Sequence, residues 1–380
     1  MMGAMQPVTR ARSREDLIAR LAERTLELVN IPSVSGDEAP ILDHIAAALP
    51  EAWAVIDRED ACLFASPPRR AGRPFVLLAG HVDTVPAQAG NDAGALEDEG
   101  SAVRGLGASD MKGALAVMLE VADAISSGDL ATSVDVGTLF FGREELPIAR
   151  SALLPLLERS AAVRSADLAI VMEPTSNALQ IGCLGNLDAA VTFRGRSAHS
   201  ARPWLGENAI HAAVRGLRGP ADAGIVDVEV DGLVYREVAS VTMIEGGVAA
   251  NVIPAEVRCR VNLRYAPSRT PAEAEARLLE MLAGSGAEID VLSNAQPGPV
   301  TVRNPLVARL RDAGELDVGP KQAWTPVAEF ATAGVDAVNF GPGDPALAHR
   351  EDELVEAACL ARCFDVLAAF VAEPDETARP

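Results

Sequence analysis

The sequence predicts a mixed α/β protein, a mostly parallel sheet with flanking helices interrupted by a smaller α+β unit. Three observations predict it. Through the first half, short apolar runs alternate with helical stretches, the order that builds a parallel sheet with helices on both faces. From about Leu179 the runs become alternating apolar and polar residues, the pattern of antiparallel strands with one wet face. After about Ser293 the chain returns to helix, strand and a closing helix. The expected division is therefore 1–178 and 293–380 for the two parts of the larger domain and 179–292 for the insert. A length of 380 residues, more than one core usually holds, agrees with two domains.

Taken in order, Arg14 to Val29 carries Leu17, Ile18, Leu21 and Leu26 at helical spacing. At IPSVSGDE the helix breaks, and Ser35 with Glu38 three residues on reads as a cap for the next helix. PFVLLAGHVDTVP reads as a buried strand running into a loop, and ASDMKGALAVMLEVADAIS as a loop feeding a helix. SVDVGTLFFGREELP and ADLAIVMEPTSN are strands followed by carboxylates. In the insert, NLDAAVTFRGR, IVDVEVDGL, VASVTMIEGG and AEVRCRVNLRYAP are strands of an expected four-stranded sheet. Helices near Asn208 to Leu217 and Pro271 to Leu282 separate them, and VDAVNFGPGD is a late strand.

Apolar residues make up 49% of the chain, which excludes a disordered class. The formal charge of −21 argues against nucleic-acid or anionic-membrane partners, which need clustered Lys and Arg. The five cysteines are scattered without a CxxC pair, so neither a disulfide framework nor a thiolate metal site is expected. The N-terminal stretch lacks the apolar core of a signal peptide, and no run approaches the ~20 apolar residues of a membrane span. The expected location is cytoplasmic.

Chemistry concentrates after the strands and in the loops, at the sheet edge where open α/β folds bind ligands. There stand His81 and Asp83 in GHVDTVP, Asp110 in GLGASDMKG, Glu144 and Glu145 in FGREELP, Glu173 in MEPTSN and His349 in GPGDPALAHREDE. A lone His or an acidic pair is ordinary surface. Together they are the N and O donors zinc prefers. Asp110 could bridge two ions ~3.5–4 Å apart, as in two-metal hydrolases. Of Glu144 and Glu145, one could bind metal while the other takes a proton from the attacking water. Asp83, two residues after His81, is placed to orient the imidazole.

These strings, with GRSAHSARPWLGENAI and NVIPAE, resemble the M20 family of di-zinc metallopeptidases and aminoacylases over nearly the whole chain. The resemblance implies a zinc-exopeptidase-like catalytic domain split by a ferredoxin-like dimerisation lid. It implies that His81, Asp110 and Glu173 hold one Zn2+ and Asp110, Glu145 and His349 the other, with Co2+ a possible substitute. Glu144 matches the general base and Asp83 the orienting acid. The lid's His199 would reach the neighbouring subunit's site of a homodimer and steady the oxyanion. Asn251, Arg264 and Thr325 match positions that contact substrate.

HSARPWLGENAIH, DGLVYRE and NFGPGDPALAHREDE are similar to the actinobacterial branch that hydrolyses N-succinyl-LL-2,6-diaminopimelate, a step of lysine biosynthesis. KQAWTPVAEF departs from that branch: Pro326 stands where an Asp is typical and Glu329 where an Arg is. Pro326 removes a carboxylate and an N–H, and Glu329 reverses a charge expected near an anionic substrate. The rival readings are another deacylase or carboxypeptidase of the family (acetylornithine deacetylase, glutamate carboxypeptidase, aminoacylase) and a non-catalytic zinc-binding dimer. GLGASDMKG is not the GxGxxG of dinucleotide binding, and no G-x-S-x-G elbow appears.

Overall fold

The computed structural model describes residues 13–88 and 90–372. Its largest sheet has eight strands. In spatial order they are Ala54–Asp57, Cys62–Ser66, Asp135–Phe141, Phe75–His81, Leu168–Val171, Ala337–Asn339, Leu179–Ile181 and Val318–Pro320. Phe75–His81 runs parallel to both of its neighbours, and Ala337–Asn339 continues the parallel run. Both faces are covered. Val76 and Leu78 enter one core, whereas Phe75, Leu77 and Ala79 enter the other. PFVLLAG is an unbroken apolar run because neither face of that strand meets water. Each of these Val, Leu and Phe side chains contributes roughly 1.5–3 kcal/mol of burial.

The first helix, Arg14–Val29, opens with a capping box. Ser13 Oγ accepts the Asp16 N–H and the Asp16 carboxylate accepts the Ser13 N–H. Its buried stripe, including Leu17, Leu21 and Leu28, packs against the closing helix Ala357–Val371 and the helix Gly113–Ser127. The cap expected at Ser35 does not form. The helix Ala39–Ala48 begins after Glu38, whose carboxylate folds back onto the Gly36 N–H at 2.7 Å. Ser35 instead donates its hydroxyl to Asp83 at 2.6 Å, a long-range partner that local spacing cannot reveal.

The insert is an antiparallel sheet of five strands, one more than expected. Their order is Val226–Val230, Leu233–Gly246, Glu256–Tyr265, Gly185–Arg194 and Glu288–Ala295. Leu187, Ala189, Val191 and Phe193 alternate into a separate core under the helices Ala209–Gly216 and Pro271–Met281. Leaving out the first hairpin strand, the path is strand–helix–strand–strand–helix–strand, the ferredoxin-like order. The boundaries shift from those the sequence suggests. Leu179–Ile181 pairs within the eight-stranded sheet, and the last insert strand runs on to Ala295. Both changes are decided by pairing partners, to which a short apolar segment is blind. No helix among the described residues is long and apolar enough to cross a membrane.

Candidate metal centre

His81 closes the central strand, and Glu144, Glu145 and Glu173 lie in the loops just beyond the two strands that flank it. Asp110 comes from the Ala108–Lys112 turn, which Gly107 opens at φ +82° before the chain enters its third helix. His349 lies on the loop after Ala337–Asn339 with a left-handed φ of 62°. Four connections thus converge on one rim of the sheet.

Three groups of donors form there, one of them His81, Glu144 and Glu145, and the other two share Asp110. His81, Asp110 and Glu173 each offer a ligand atom within 4.8 Å of the others, and so do Asp110, Glu145 and His349. Asp110 belongs to both. His81 Nε2 lies 3.0 Å from one Asp110 oxygen, and His349 Nε2 lies 3.6 Å from the other and 2.8 Å from Glu145. Glu173 Oε1 is buried without a hydrogen-bond partner, a costly state for a carboxylate oxygen unless a cation takes it up. The residues therefore fit a pair of metal ions, with one N and several O donors at each position.

The electrostatics are those of a site built for cations. Burial disfavours a charged His81, but the hydrogen bond and charge of Asp110 outweigh it and hold the imidazole well above its ordinary value. His349, hydrogen-bonded to Glu145, is raised to about 9. Loss of water, then the neighbouring Asp110, lifts Glu173 to about 7. Glu144, half-buried at the wall, is raised by desolvation and then by Glu173. Protons occupy positions that metal binding would exchange.

Asp83 is buried and hydrogen-bonded, and its carboxylate does not take the imidazole. His81 Nδ1 meets the Asp83 backbone carbonyl at 2.9 Å, with the nearer carboxylate oxygen at 3.7 Å. The carboxylate instead accepts the backbone N–H groups of Glu144 and Glu145 at 3.1 and 3.2 Å. It anchors the loop that carries both glutamates.

A cavity of about 480 Å³ opens over the triads. Arg264 and Thr325 line it, as do Asn186, Lys321 and Trp324, which the motif reading passed over. Thr325 Oγ1 is buried without a partner. His199 and Asn251 are not in it. Both are exposed beside the short ladder Ala198–His199/Val252–Ile253, where His199 Nδ1 accepts the Ala201 N–H at 3.0 Å. Nor do Pro326 and Glu329 line the cavity, which corrects the expectation of a reversed charge beside the substrate. Pro326 precedes the short helix Val327–Thr332, and Glu329 lies buried on that helix, facing a separate hollow with Leu154 and Thr332. Thr325 opens to the cavity and Glu329 to the neighbouring hollow, a difference a linear string cannot show.

Glu353 was also missed, although it ends the quoted AHREDE string. It is 1% exposed, and its Oε1 accepts the backbone N–H groups of Ser109 and Asp110, each at 2.9 Å. One carboxylate thus ties the loop of Asp110 to the loop of His349. Alternation of apolar run and acid gave no hint of it, because its partners are backbone groups far along the chain.

Such a fold, with a rim whose residues could hold metal, suits a metal-dependent hydrolase. The family model described as Peptidase family M20/M25/M40 matches residues 77–373, and the chain belongs to this family. It is 37% identical over 362 residues to a Mycobacterium tuberculosis protein provisionally named succinyl-diaminopimelate desuccinylase, covering 94% of this chain and 99% of that one. A Corynebacterium glutamicum protein named succinyl-diaminopimelate desuccinylase is 36% identical, covering 89% and 92%. Among solved structures, a Sulfolobus solfataricus protein titled an M20 family metallo-carboxypeptidase superimposes with a TM-score of 0.73 at 18% identity, over 92% of this chain and 98% of that chain.

Proposed function

We propose that this chain hydrolyses N-succinyl-LL-2,6-diaminopimelate to succinate and LL-2,6-diaminopimelate, as a homodimer carrying two Zn2+ per subunit. The observation that carries the reading is the pair of triads sharing Asp110 beneath a cavity with two cations on its walls. The names and coverage of the two bacterial relatives support the substrate.

In this reading His81, Asp110 and Glu173 would hold one zinc ion, and Asp110, Glu145 and His349 the other, with Co2+ a possible substitute. Such ions would supply Lewis acidity to the amide carbonyl and lower the pKa of the attacking water. Glu144 takes the proton of that water on its carboxylate and delivers it to the departing amine. Asp83 keeps Glu144 in place through the loop N–H groups. Thr325 and Arg264 bind the polar groups of the substrate, and Asn251, outside this subunit's cavity, would reach them from the lid of a second copy.

The unit from Gly185 to Ala295 acts as the dimerisation lid. Its long strand Leu233–Gly246 pairs with the hairpin strand only as far as Glu237, so its far half is an open edge among the described residues. Ile210, Val214, Met243 and Ile244 are exposed on the same unit. An open apolar edge is a ready surface for a second copy. His199 of that copy would donate to the oxyanion. The five cysteines are all free, which suits the cytoplasm.

The test is a substrate panel on zinc-reconstituted protein: N-succinyl-diaminopimelate, N-acetylornithine, an N-acyl-glutamate and a dipeptide, each with and without chelator. Chelator-sensitive release of succinate is expected. Turnover of another member alone would move the chain to that branch. The dimer has its own test. Co-expressed His199→Ala and Glu144→Gln chains should form mixed dimers with activity that neither variant has alone.

A further inference from the structure

The chain has 33 basic residues, and only Lys112 and Lys321 are lysine. Both are buried, 2% and 6% exposed, whereas arginine serves the surface. Lys112 has a structural task, since its Nζ donates to the Ile31 carbonyl at 2.8 Å beneath the Asp110 turn. Lys321 has no comparable tether. Its Nζ donates to the Pro174 carbonyl at 3.2 Å, and it has no carboxylate within ion-pair distance among the described residues. An ammonium carries three donors, and one backbone acceptor leaves the others to the cavity it lines.

Lys321 is one of two cations on that wall without an ionic partner. The other, Arg264, donates Nε to Asn262 and otherwise faces the cavity. Neither cation has a carboxylate within ion-pair distance among the described residues, and two divalent ions would take up the charge of Asp110, Glu144, Glu145 and Glu173. A buried unopposed cation is costly unless its anion arrives with the ligand.

Position separates their tasks. Lys321 acts electrostatically on Glu173 and Asp110, lowering the proton affinity of both, and stands beside Pro174. Glu144, which would face the departing amine, lies on a different loop lining the same cavity. An acyl arm laid toward Pro174 would bring its far end to Lys321. Arg264 comes from the insert sheet.

Building on the function proposed above, we propose that Lys321 is a specificity-determining residue that binds the terminal carboxylate of the acyl arm, selecting dicarboxylic N-acyl groups over simple ones such as acetyl.

Two measurements test it. In the first, Lys321→Met and wild type are compared on N-succinyl and N-acetyl derivatives of one amine. Loss of a charge-assisted contact should lower kcat/KM about 100-fold for the succinyl compound and less than about threefold for the acetyl one. Equal losses on both would overturn the assignment, because a lysine that only adjusts the metal ligands cannot distinguish acyl groups. The second needs no turnover. In zinc-loaded wild type, reductive methylation is followed by mass spectrometry, with Lys112 as internal reference. Succinate should slow methylation of Lys321 severalfold and acetate should not; equal rates would overturn the proposal even if the variant fails to fold. Failure of the parent function reads differently, as wild type that releases no succinate from any N-succinyl compound.

Discussion

The eight-stranded sheet hides both faces and uses its strand ends; the five-stranded sheet hides one face and leaves an edge open. In the first, rigid strands buried on two sides hold short loops whose side chains converge on one rim. All the candidate metal ligands come from there. The second contributes Asn186 and Arg264 to the cavity wall and keeps His199 and Asn251 away from it. The difference teaches that a both-faces-buried sheet can complete a ligand set within one chain. In the proposed dimer, the one-face sheet with an open edge would finish its part against a second copy.

The sharpest way to break the comparison is at the first sheet's rim. Glu144→Gln should lower kcat by about 10³-fold or more, because it removes the proton carrier and no ligand. Zinc content by atomic absorption should stay at the wild-type ratio; retained activity would remove Glu144 as the base.

Next comes the exposed apolar surface of the insert, on its helix and its open edge. Val214→Asp with Ile244→Asp alters two exposed positions, 62% and 57% accessible, so the fold should change by no more than about 0.5 kcal/mol. Sedimentation should show a monomer, with activity down about 100-fold as the second copy's His199 is lost. A monomer of full activity would mean that the rim needs nothing from the second sheet.

Glu353→Ala probes whether the two ligand loops act together. Without its bridge to Ser109 and Asp110, metal affinity should weaken about 10- to 100-fold by chelator competition. Glu353→Gln, which keeps an acceptor oxygen, should recover most of it.

The smallest effect concerns Glu329, outside both working surfaces. Burial raises its carboxyl to about 7, against a hydrogen bond from Ser151. Between the unfolded value of 4.5 and about 7, the folded chain keeps a proton that the unfolded chain has lost. Stability therefore falls as pH rises through that window, and the cost is complete above it. The shift corresponds to roughly 3 kcal/mol. Glu329→Gln should recover about 1 kcal/mol at pH 8, since a buried amide also needs partners. Thermal melts at matched metal loading should show that gain vanish at pH 4. A gain equal at both pH values would point to packing rather than charge.

The sequence by itself determined the elements with strong local signals. The helix Arg14–Val29, the buried strand through His81 and the alternating insert strands each announce burial by period, and burial is what makes them form. It also exposed the candidate ligands, because a His or acid directly after an apolar run marks a strand end. Only the tertiary structure decided which of those side chains meet, since His81, Asp110, Glu173 and His349 are brought together by strand order, which no local pattern encodes. It also decided that Glu329 turns away from the cavity while Lys321 enters it, although both belong to one short string. Contact is a property of three-dimensional packing, and a residue's neighbours in sequence specify only which way its backbone tends to bend.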